Sequence, residues 1–143
     1  MINLLSGIGA TASALNCERI RMEIISQNIA HANTTRDVDG KPYQRQQVVF
    51  EKVLDQQPGL SAGGVGQGRV QIARIEKDPR EPRLVFNPGH PEADADGMMA
   101  VPDINVHEEM VDLIVSSRAF EANLAVVRNA RSMALQTLSI GKR

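Results

Sequence analysis

The stretch that decides the fold is residues 105–140, NVHEEMVDLIVSSRAFEANLAVVRNARSMALQTLSI. It contains no Pro or Gly, and its apolar residues recur at alternating steps of four and three, the heptad spacing of a helix that packs along a partner. Asn105 followed by Glu108 predicts an N-cap with a partial capping box, and Gly141 marks the other end. We therefore expect one helix from about Val106 to about Ile140. It would be about 50 Å long, too long for the core of so small a protein.

This predicted helix is apolar on two sides. The heptad stripe consists of Val106, Met110, Leu113, Phe120, Leu124, Val127, Ala134 and Leu138. Roughly opposite, at 100° per residue, lie Val111, Val115, Ala119, Ala122, Val126, Met133 and Ile140. Arg118, Glu121, Arg128 and Arg131 lie largely between the two stripes, and such charges would be very costly in hydrocarbon, which argues against a membrane helix. We expect the helix to need at least two neighbours, because one partner would leave a stripe in water.

A second long helix is predicted over residues 4–32, with its boundary near Ala32, where an Asn- and Thr-rich stretch begins to favour a turn. One side carries Leu5, Ile8, Ala12, Leu15, Met22 and Ile29, and the opposite side carries Ala10, Cys17, Ile20 and Ile24. The same two-sided pattern therefore appears at both ends of the chain.

The middle of the chain is predicted to be rich in β-structure. Runs of β-branched and aromatic residues predict three strands, at Tyr43–Leu54, Arg69–Glu76 and Arg83–Phe86, which we expect to form one small sheet. Residues 55–68 are glycine-rich and predict a flexible loop, and residues 87–104, with three prolines, predict an ordered or semi-rigid loop. The predicted fold class is mainly α with a small β-rich insertion, the two long helices pairing as a coiled coil. Its segments are residues 1–34, 35–104 and 105–143.

Composition excludes several classes of function. The 16 Lys and Arg residues nearly balance the 17 Asp and Glu residues without clustering, so nucleic-acid binding is not expected. With no Trp, one Tyr and three Phe, the chain suits interdigitating helices better than an aromatic ligand pocket. The single cysteine, Cys17, excludes an internal disulfide or a thiolate zinc site within one chain. The first residues lack the pattern of a secretory signal peptide, which by composition alone favours the cytoplasm.

The residues able to carry chemistry do not form a convincing site. An acidic stretch partly follows a calcium loop, with Glu92, Asp94, Asp96, Gly97 and Asp103. Glu stands where the first Asp belongs, and prolines on both sides deny flanking helices, so we interpret it as a solvated acidic loop, with a calcium-dependent binding module as an alternative. The three histidines show no metal-ligand spacing with one another. We expect no catalytic residue, no cofactor and no metal.

Several stretches, in this order and spacing, resemble one known family. They are residues 26–34 (SQNIAHANT), Gly40–Tyr43 with Gln47–Phe50, residues 88–97, Val101–Pro102, Glu109–Val111, residues 117–123 (SRAFEAN) and residues 132–141. The chain resembles the flagellar basal-body rod and hook protein family over nearly its whole length, and within it the short proximal-rod members. His31 stands where the family usually has a second Asn.

The resemblance implies a structural subunit of the hollow, torque-transmitting rod of the bacterial flagellar basal body. It implies export by the flagellar type III apparatus without a cleaved signal peptide, and a periplasmic location in the rod. The implied partners are other flagellar rod proteins, copies of the chain itself and the rod-base and membrane-ring components, with no nucleic acid and no transmembrane segment. In the family, the terminal helices form an inner coiled coil around the channel and the β-rich middle faces outward.

The residues expected to form the assembly interface lie on both stripes of both helices. They are Ile8, Leu15, Ile20, Met22, Ile24, Ile29, Met110, Leu113, Val115, Phe120, Leu124, Val126, Val127 and Leu138. Two alternatives stay open, another flagellar rod subunit or a soluble helical-hairpin adaptor of the export and assembly machinery. Two apolar sides on each helix favour the rod subunit over the adaptor.

Overall fold

The computed structural model describes residues 4–37, 39–54 and 68–141. The elements run in the order α1 (Leu4–Ala30), β1 (Gln46–Leu54), β2 (Gly68–Lys77), β3 (Arg83–Phe86), β4 (Met98–Val101) and α2 (Val106–Ile140). Two long helices therefore enclose a short β-rich segment in sequence, as predicted. The glycine-rich loop predicted between Asp55 and Gly68 lies, up to residue 67, outside the described residues.

The helix α2 begins where its capping signal predicts. The Asn105 side chain accepts a hydrogen bond from the His107 amide at 3.1 Å, and its own amide donates to Glu108 at 3.0 Å. Glu108 and Glu109 place negative charge in the first turn, which complements the positive end of the helix dipole. At its other end, the amide of Gly141 donates to the Thr137 carbonyl at 3.2 Å. Both predicted bounds of this helix are confirmed.

The two helices pack against each other along their lengths, with the end of α1 beside the start of α2. Because the contacts begin at these two ends, α2 runs back along α1. The 35 residues of α2 against the 27 of α1 leave the last turns of α2 exposed on every side except at Ala134. In the part of the chain that the structure describes, neither helix is long and apolar enough to cross a membrane.

The prediction of one three-stranded sheet is wrong. The strands form two separate antiparallel ribbons, β1 with β2 and β3 with β4. The missed strand β4 lies inside the stretch predicted to be a loop, directly after Gly97, whose φ of +74° turns the chain. A Cβ at that position would come within 2.9 Å of the Phe86 ring, so the turn also requires a residue without a side chain.

The β1–β2 ribbon packs against α1, whereas the backbone of the β3–β4 ribbon approaches no other helix or strand among the described residues. Among the described residues, the buried apolar side chains are few and lie mostly in the second half of α1 and just after it: Cys17, Ile24, Ile25, Ala32, Tyr43 and Val101. The core is therefore small and lies where α1, the start of α2 and the approach to β1 meet. The helix α1 ends at Ala30, two residues before the predicted boundary, and a turn follows it.

Candidate assembly surface and polar junction

Five residues from three parts of the chain form a polar junction: Asn28, Tyr43, Arg45, Gln46 and Glu109. Asn28 lies in the last turn of α1, Tyr43 to Gln46 lead into β1, and Glu109 lies in the first turn of α2. Asn28 and Glu109 are each only 1% exposed. Two polar side chains so fully buried must be satisfied within the protein, because an unpaired polar group in the interior is costly.

Asn28 uses every hydrogen-bonding position of its amide. Its nitrogen donates to the Gln46 carbonyl at 2.8 Å and to the Glu109 carboxylate at 3.1 Å. Its oxygen accepts from the Gln46 amide at 2.9 Å and from the Tyr43 hydroxyl at 3.2 Å. Asn28 thus pairs with both backbone groups of the first β1 residue, as a neighbouring strand would, and joins them to α2.

Arg45 compensates the buried charge of Glu109. Its Nε donates to Oε1 of Glu109 at 2.6 Å, and its other nitrogens lie 3.8 Å from Asp78 and 3.9 Å from Asp112. Since the Glu109 carboxylate accepts from both Arg45 and Asn28, each of its oxygens has a partner. The carboxylate is therefore held between the two helices as one end of a satisfied ion pair.

A second charged link continues from the junction to the segment before α2. Arg80 donates to Asp78 at 2.8 Å and to Asp103 at 2.9 Å. The hydrogen bond from Arg80 holds the pKa of Asp78 below its ordinary value, while Asp78 in turn raises the pKa of Arg80. The ends of β2 and β4 are thereby tied together on the outside of the junction.

Tyr43 closes the junction on its other side. Burial raises the pKa of its hydroxyl, and the charges of Asp37 and Glu109 add to this effect, so the group stays a neutral donor to Asn28. The exposed ring of His31 stacks on the Tyr43 ring at 4.7 Å between centroids, and its Nδ1 lies 3.2 Å from the Thr34 hydroxyl. His31 therefore packs against the aromatic member of the junction.

The face of α2 that packs against α1 contains two buried polar residues in addition to apolar ones. Glu109 and Ser116 are buried, at 1% and 0% exposure, while Met110 is half exposed at 50%. Met110, a member of the heptad stripe, is turned away from α1 in the single chain, because the helix turns Glu109 toward α1. Leu113, Phe120, Leu124 and Val127 continue this face and are half-buried.

A second set of apolar residues on α2 remains exposed, and we name it the outer stripe. It consists of Val111 (59% exposed), Val115 (52%), Val126 (54%), Met133 (54%) and Ile140 (75%). At 100° per residue these positions lie about a third of a turn from the line of Glu109 and Ser116. The outer stripe runs almost the full length of the helix and is covered by nothing in the described chain.

The corresponding side of α1 is covered within the chain. The buried thiol of Cys17 contacts the Val70 carbonyl of β2 at 3.5 Å, and the Ser13 hydroxyl accepts from the Val70 amide at 3.4 Å. Ile24, on the same side, is 6% exposed. The β1–β2 ribbon therefore occupies the side of α1 that is equivalent to the outer stripe of α2.

The expected interface residues fall into two groups. Those of α1 and the inner face of α2 are buried or half-buried in the single chain: Ile8, Leu15, Ile20, Met22, Ile24, Ile29, Leu113, Phe120, Leu124 and Val127. Those exposed by half or more are Met110, Val115, Val126 and Leu138. Only the second group offers large apolar area that is open in the single chain.

The residues that could bind a metal ion or act as a nucleophile do not form a site for either function in the described part of the chain. Within the described ranges, no group of three or more His, Cys, Asp or Glu residues is arranged to hold a metal ion. In the acidic loop, Glu92 accepts a hydrogen bond from the Thr35 hydroxyl and Asp103 pairs with Arg80, so these carboxylates point to different partners. Burial, and then the charge of Glu18, raises the pKa of the Cys17 thiol, which makes it a poor nucleophile.

The sequence did not predict the polar junction, although three of its residues lie in stretches that the sequence analysis singled out. Asn28, Tyr43 and Glu109 each belong to one of the stretches that carry the family resemblance. The signal that could have found Glu109 is its spacing, since it stands three residues after Val106 and four before Leu113. A charged residue at such a position predicts a buried, paired group, but its partner lies 81 residues away in sequence.

Comparison with known proteins agrees with the resemblance. Residues 9–36 match the family described as flagella basal body rod protein, and residues 95–140 match the C-terminal family of the flagellar basal body rod FlgEFG proteins. The flagellar basal-body rod protein FlgC of Yersinia enterocolitica is 38% identical, covering 99% of this chain and 100% of the relative. FlgC of Borreliella burgdorferi is 37% identical (97% and 98% covered), and FlgC of Bacillus subtilis strain 168 is 36% identical (94% and 96%).

Identity at this level over nearly the whole of both chains covers the two helices, the ribbons and the junction together. The chain therefore belongs to the family of flagellar basal-body rod proteins known as FlgC.

Proposed function

We propose that this chain, a structural subunit of the flagellar basal-body rod, assembles through its terminal helices, with the outer stripe of α2 as the surface that faces a neighbouring subunit. The observation that carries this proposal is the exposure of Val111, Val115, Val126, Met133 and Ile140, all more than half exposed along one line. Exposed apolar surface that recurs along one side of a helix indicates a contact with another protein.

The chain's partners in this proposal are copies of itself, other flagellar rod proteins and components at the rod base. Pairing of α1 with α2 as a coiled coil supplies one half of each helix's packing, and the neighbouring subunit supplies the other half for α2. The short β-rich middle favours a proximal position in the rod, since it leaves little mass outside the helices. We further propose export without a cleaved signal peptide and residence in the periplasmic part of the rod.

The function proposed is structural and needs no enzyme activity. The relatives are rod proteins by name. The buried polar groups of this chain are best explained as parts of a packed junction: Asn28 and Glu109 satisfy each other and their neighbours instead of facing a cleft. The adaptor alternative gains no support from a specific observation, because an adaptor that binds one partner does not require an apolar stripe along a whole helix.

The test is a charge placed on the outer stripe. Val126→Asp should leave the single chain folded, because the side chain is 54% exposed, but should abolish rod assembly, because a carboxylate buried without a partner costs several kcal/mol. Motility and the recovery of rods in purified basal bodies are the measurements.

The matched control is Ser132→Asp, which adds the same charge at an exposed polar position of the same helix away from the outer stripe. It should leave assembly and motility intact. Complete, motile flagella in cells carrying Val126→Asp would show that the outer stripe is not an assembly surface.

A further inference from the structure

The apolar part of the contact between α1 and α2 repeats along its length. Leu113, Phe120, Val127 and Ala134 follow one another at intervals of seven residues on the half-buried face of α2. If α2 slid along α1 by one such interval, about 10 Å, Phe120, Val127 and Ala134 would each occupy the place of the residue before it in this series. Apolar packing alone therefore discriminates weakly between the two registers.

Two buried polar residues interrupt the repeat, and they differ in one respect. Glu109 and Ser116 lie seven residues apart on the same face and are equally buried. Glu109 accepts hydrogen bonds from Asn28 and Arg45, while the Ser116 hydroxyl has no hydrogen-bond partner among the described residues. Only the observed register brings the carboxylate to Asn28, because the shifted register would bring Ser116 there.

Other parts of the fold hold α2 weakly in the direction of its axis. The backbone of the β3–β4 ribbon, which immediately precedes α2, approaches no other helix or strand in the described ranges, so most of the ribbon is free to move with α2. Outside the junction, two polar links join the segments before α2 to the rest of the fold. They are the exposed hydrogen bond from Thr35 to Glu92 and the Arg80–Asp103 pair, in which both side chains are about half exposed (53% and 44%). Exposed ion pairs contribute little to stability.

From these contacts we infer that Asn28 and Glu109, with Arg45, form a register lock that sets the alignment of the two terminal helices. A buried polar pair that only one alignment can satisfy penalises the others, which is how a single polar position fixes register in paired helices. The lock bears on the proposed function, because the register decides where the outer stripe lies relative to the rest of the subunit. It is nevertheless a property of the single chain and is tested without assembly.

The experiment measures the alignment directly by the distance between two spin labels. Cys17 is first replaced by Ala, and labels are attached at Ser26→Cys on α1 and Arg131→Cys on α2, both exposed positions. The unmodified junction should give one distance. Glu109→Leu should give two populations that differ by about 10 Å.

The matched control is Ser116→Ala, which removes the other buried polar group of the same face. Because the Ser116 hydroxyl has no hydrogen-bond partner in the described part of α1, this variant should keep the single distance. A single, unchanged distance in Glu109→Leu would overturn the inference, since the apolar packing and the chain connections would then suffice. Two populations in Ser116→Ala would also overturn it.

A second variant keeps the test valid should Glu109→Leu fail to fold. Glu109→Leu combined with Ser116→Glu retains one buried carboxylate and moves it by seven residues along α2. The lock then predicts a single distance displaced by about 10 Å, because the carboxylate follows Asn28. A single distance at the original value would refute the lock. Failure of Val126→Asp to block assembly would leave this result unaffected, so the two proposals fail separately.

Discussion

The helices α1 and α2 carry the same two-sided apolar pattern, yet the fold treats their second sides differently. The second side of α1, with Cys17 and Ile24, is buried, and Cys17 contacts the β1–β2 ribbon. The second side of α2, the outer stripe, remains more than half exposed. A two-sided pattern therefore indicates that a helix needs two neighbours, but it does not say whether the second neighbour lies in the same chain.

The difference narrows the surface on which assembly can act. Predicted interface residues on α1 such as Ile20 and Ile24 are half-buried or buried within the chain, so their availability would require the ribbon to move. Val115 and Val126 on α2 require no rearrangement. We therefore expect substitutions on the two second sides to separate folding from assembly.

The largest expected effect comes from placing the same charge on each second side. Ile24→Asp should destabilise the single chain by about 4 kcal/mol, because it buries a carboxylate at a position only 6% exposed. Val126→Asp should change its stability by no more than about 0.5 kcal/mol, as for other surface substitutions. Urea unfolding of the purified chains measures both, and equal losses would remove the distinction between the two helices.

The next largest effect is expected at the polar junction, to which α1 contributes Asn28 and α2 contributes Glu109. Asn28→Asp should cost about 3 kcal/mol, because the amide that donates to the Gln46 carbonyl and to Glu109 is replaced by an oxygen facing two acceptors, one of them charged. The readout is the urea midpoint. Asn16→Asp is the control, since Asn16 is exposed on the same helix and accepts from Arg19, a contact that a carboxylate preserves.

A stable Asn28→Asp variant would mean that the junction relaxes around the new charge. The helices would then be held together mainly by their apolar faces, and the junction would contribute little to the stability of the pair.

The sequence predicted the elements well where local signals decide. The start of α2 follows from Asn105, and the strand β3 was predicted with the bounds that the structure has, Arg83–Phe86. The strand β4 was missed because Met98 to Val101 is a run of four residues without alternation, between an acidic stretch and a proline. Its pairing with β3, which splits the predicted sheet in two, depends on the turn at Gly97 and not on the strand residues.

The site was predicted only in part, for a different reason. Apolar periodicity located the outer stripe, because its residues are apolar and evenly spaced. It counted Met110 in the heptad stripe and left out Glu109, since a search for apolar residues discards a charged one. Glu109 is buried because Asn28 and Arg45 satisfy it, and these partners come from positions 81 and 64 residues away in sequence. No local pattern contains that information.

The smallest expected effect is on the pH dependence of the free energy of unfolding, through Asp78 and Arg80 at the end of the molecule where the two helices meet. Arg80 holds the pKa of Asp78 below its ordinary value of about 4 in the folded chain. A carboxyl with a lowered folded pKa stabilises the protein above its unfolded pKa, and this contribution is lost as the pH falls through the folded value.

The wild-type free energy of unfolding should therefore fall more steeply below about pH 4 than that of Asp78→Asn. The difference should be less than about 1 kcal/mol, because Arg80 is half exposed. Arg80→Gln should flatten the profile in the same way, and the double variant should add little further, since the other partner of Arg80, Asp103, forms only a half-exposed pair with it. An unchanged profile in Arg80→Gln beside a flattened profile in Asp78→Asn would show that Asp78 owes its low pKa to Arg45, and hence to the buried junction between the helices, instead of to the outer link.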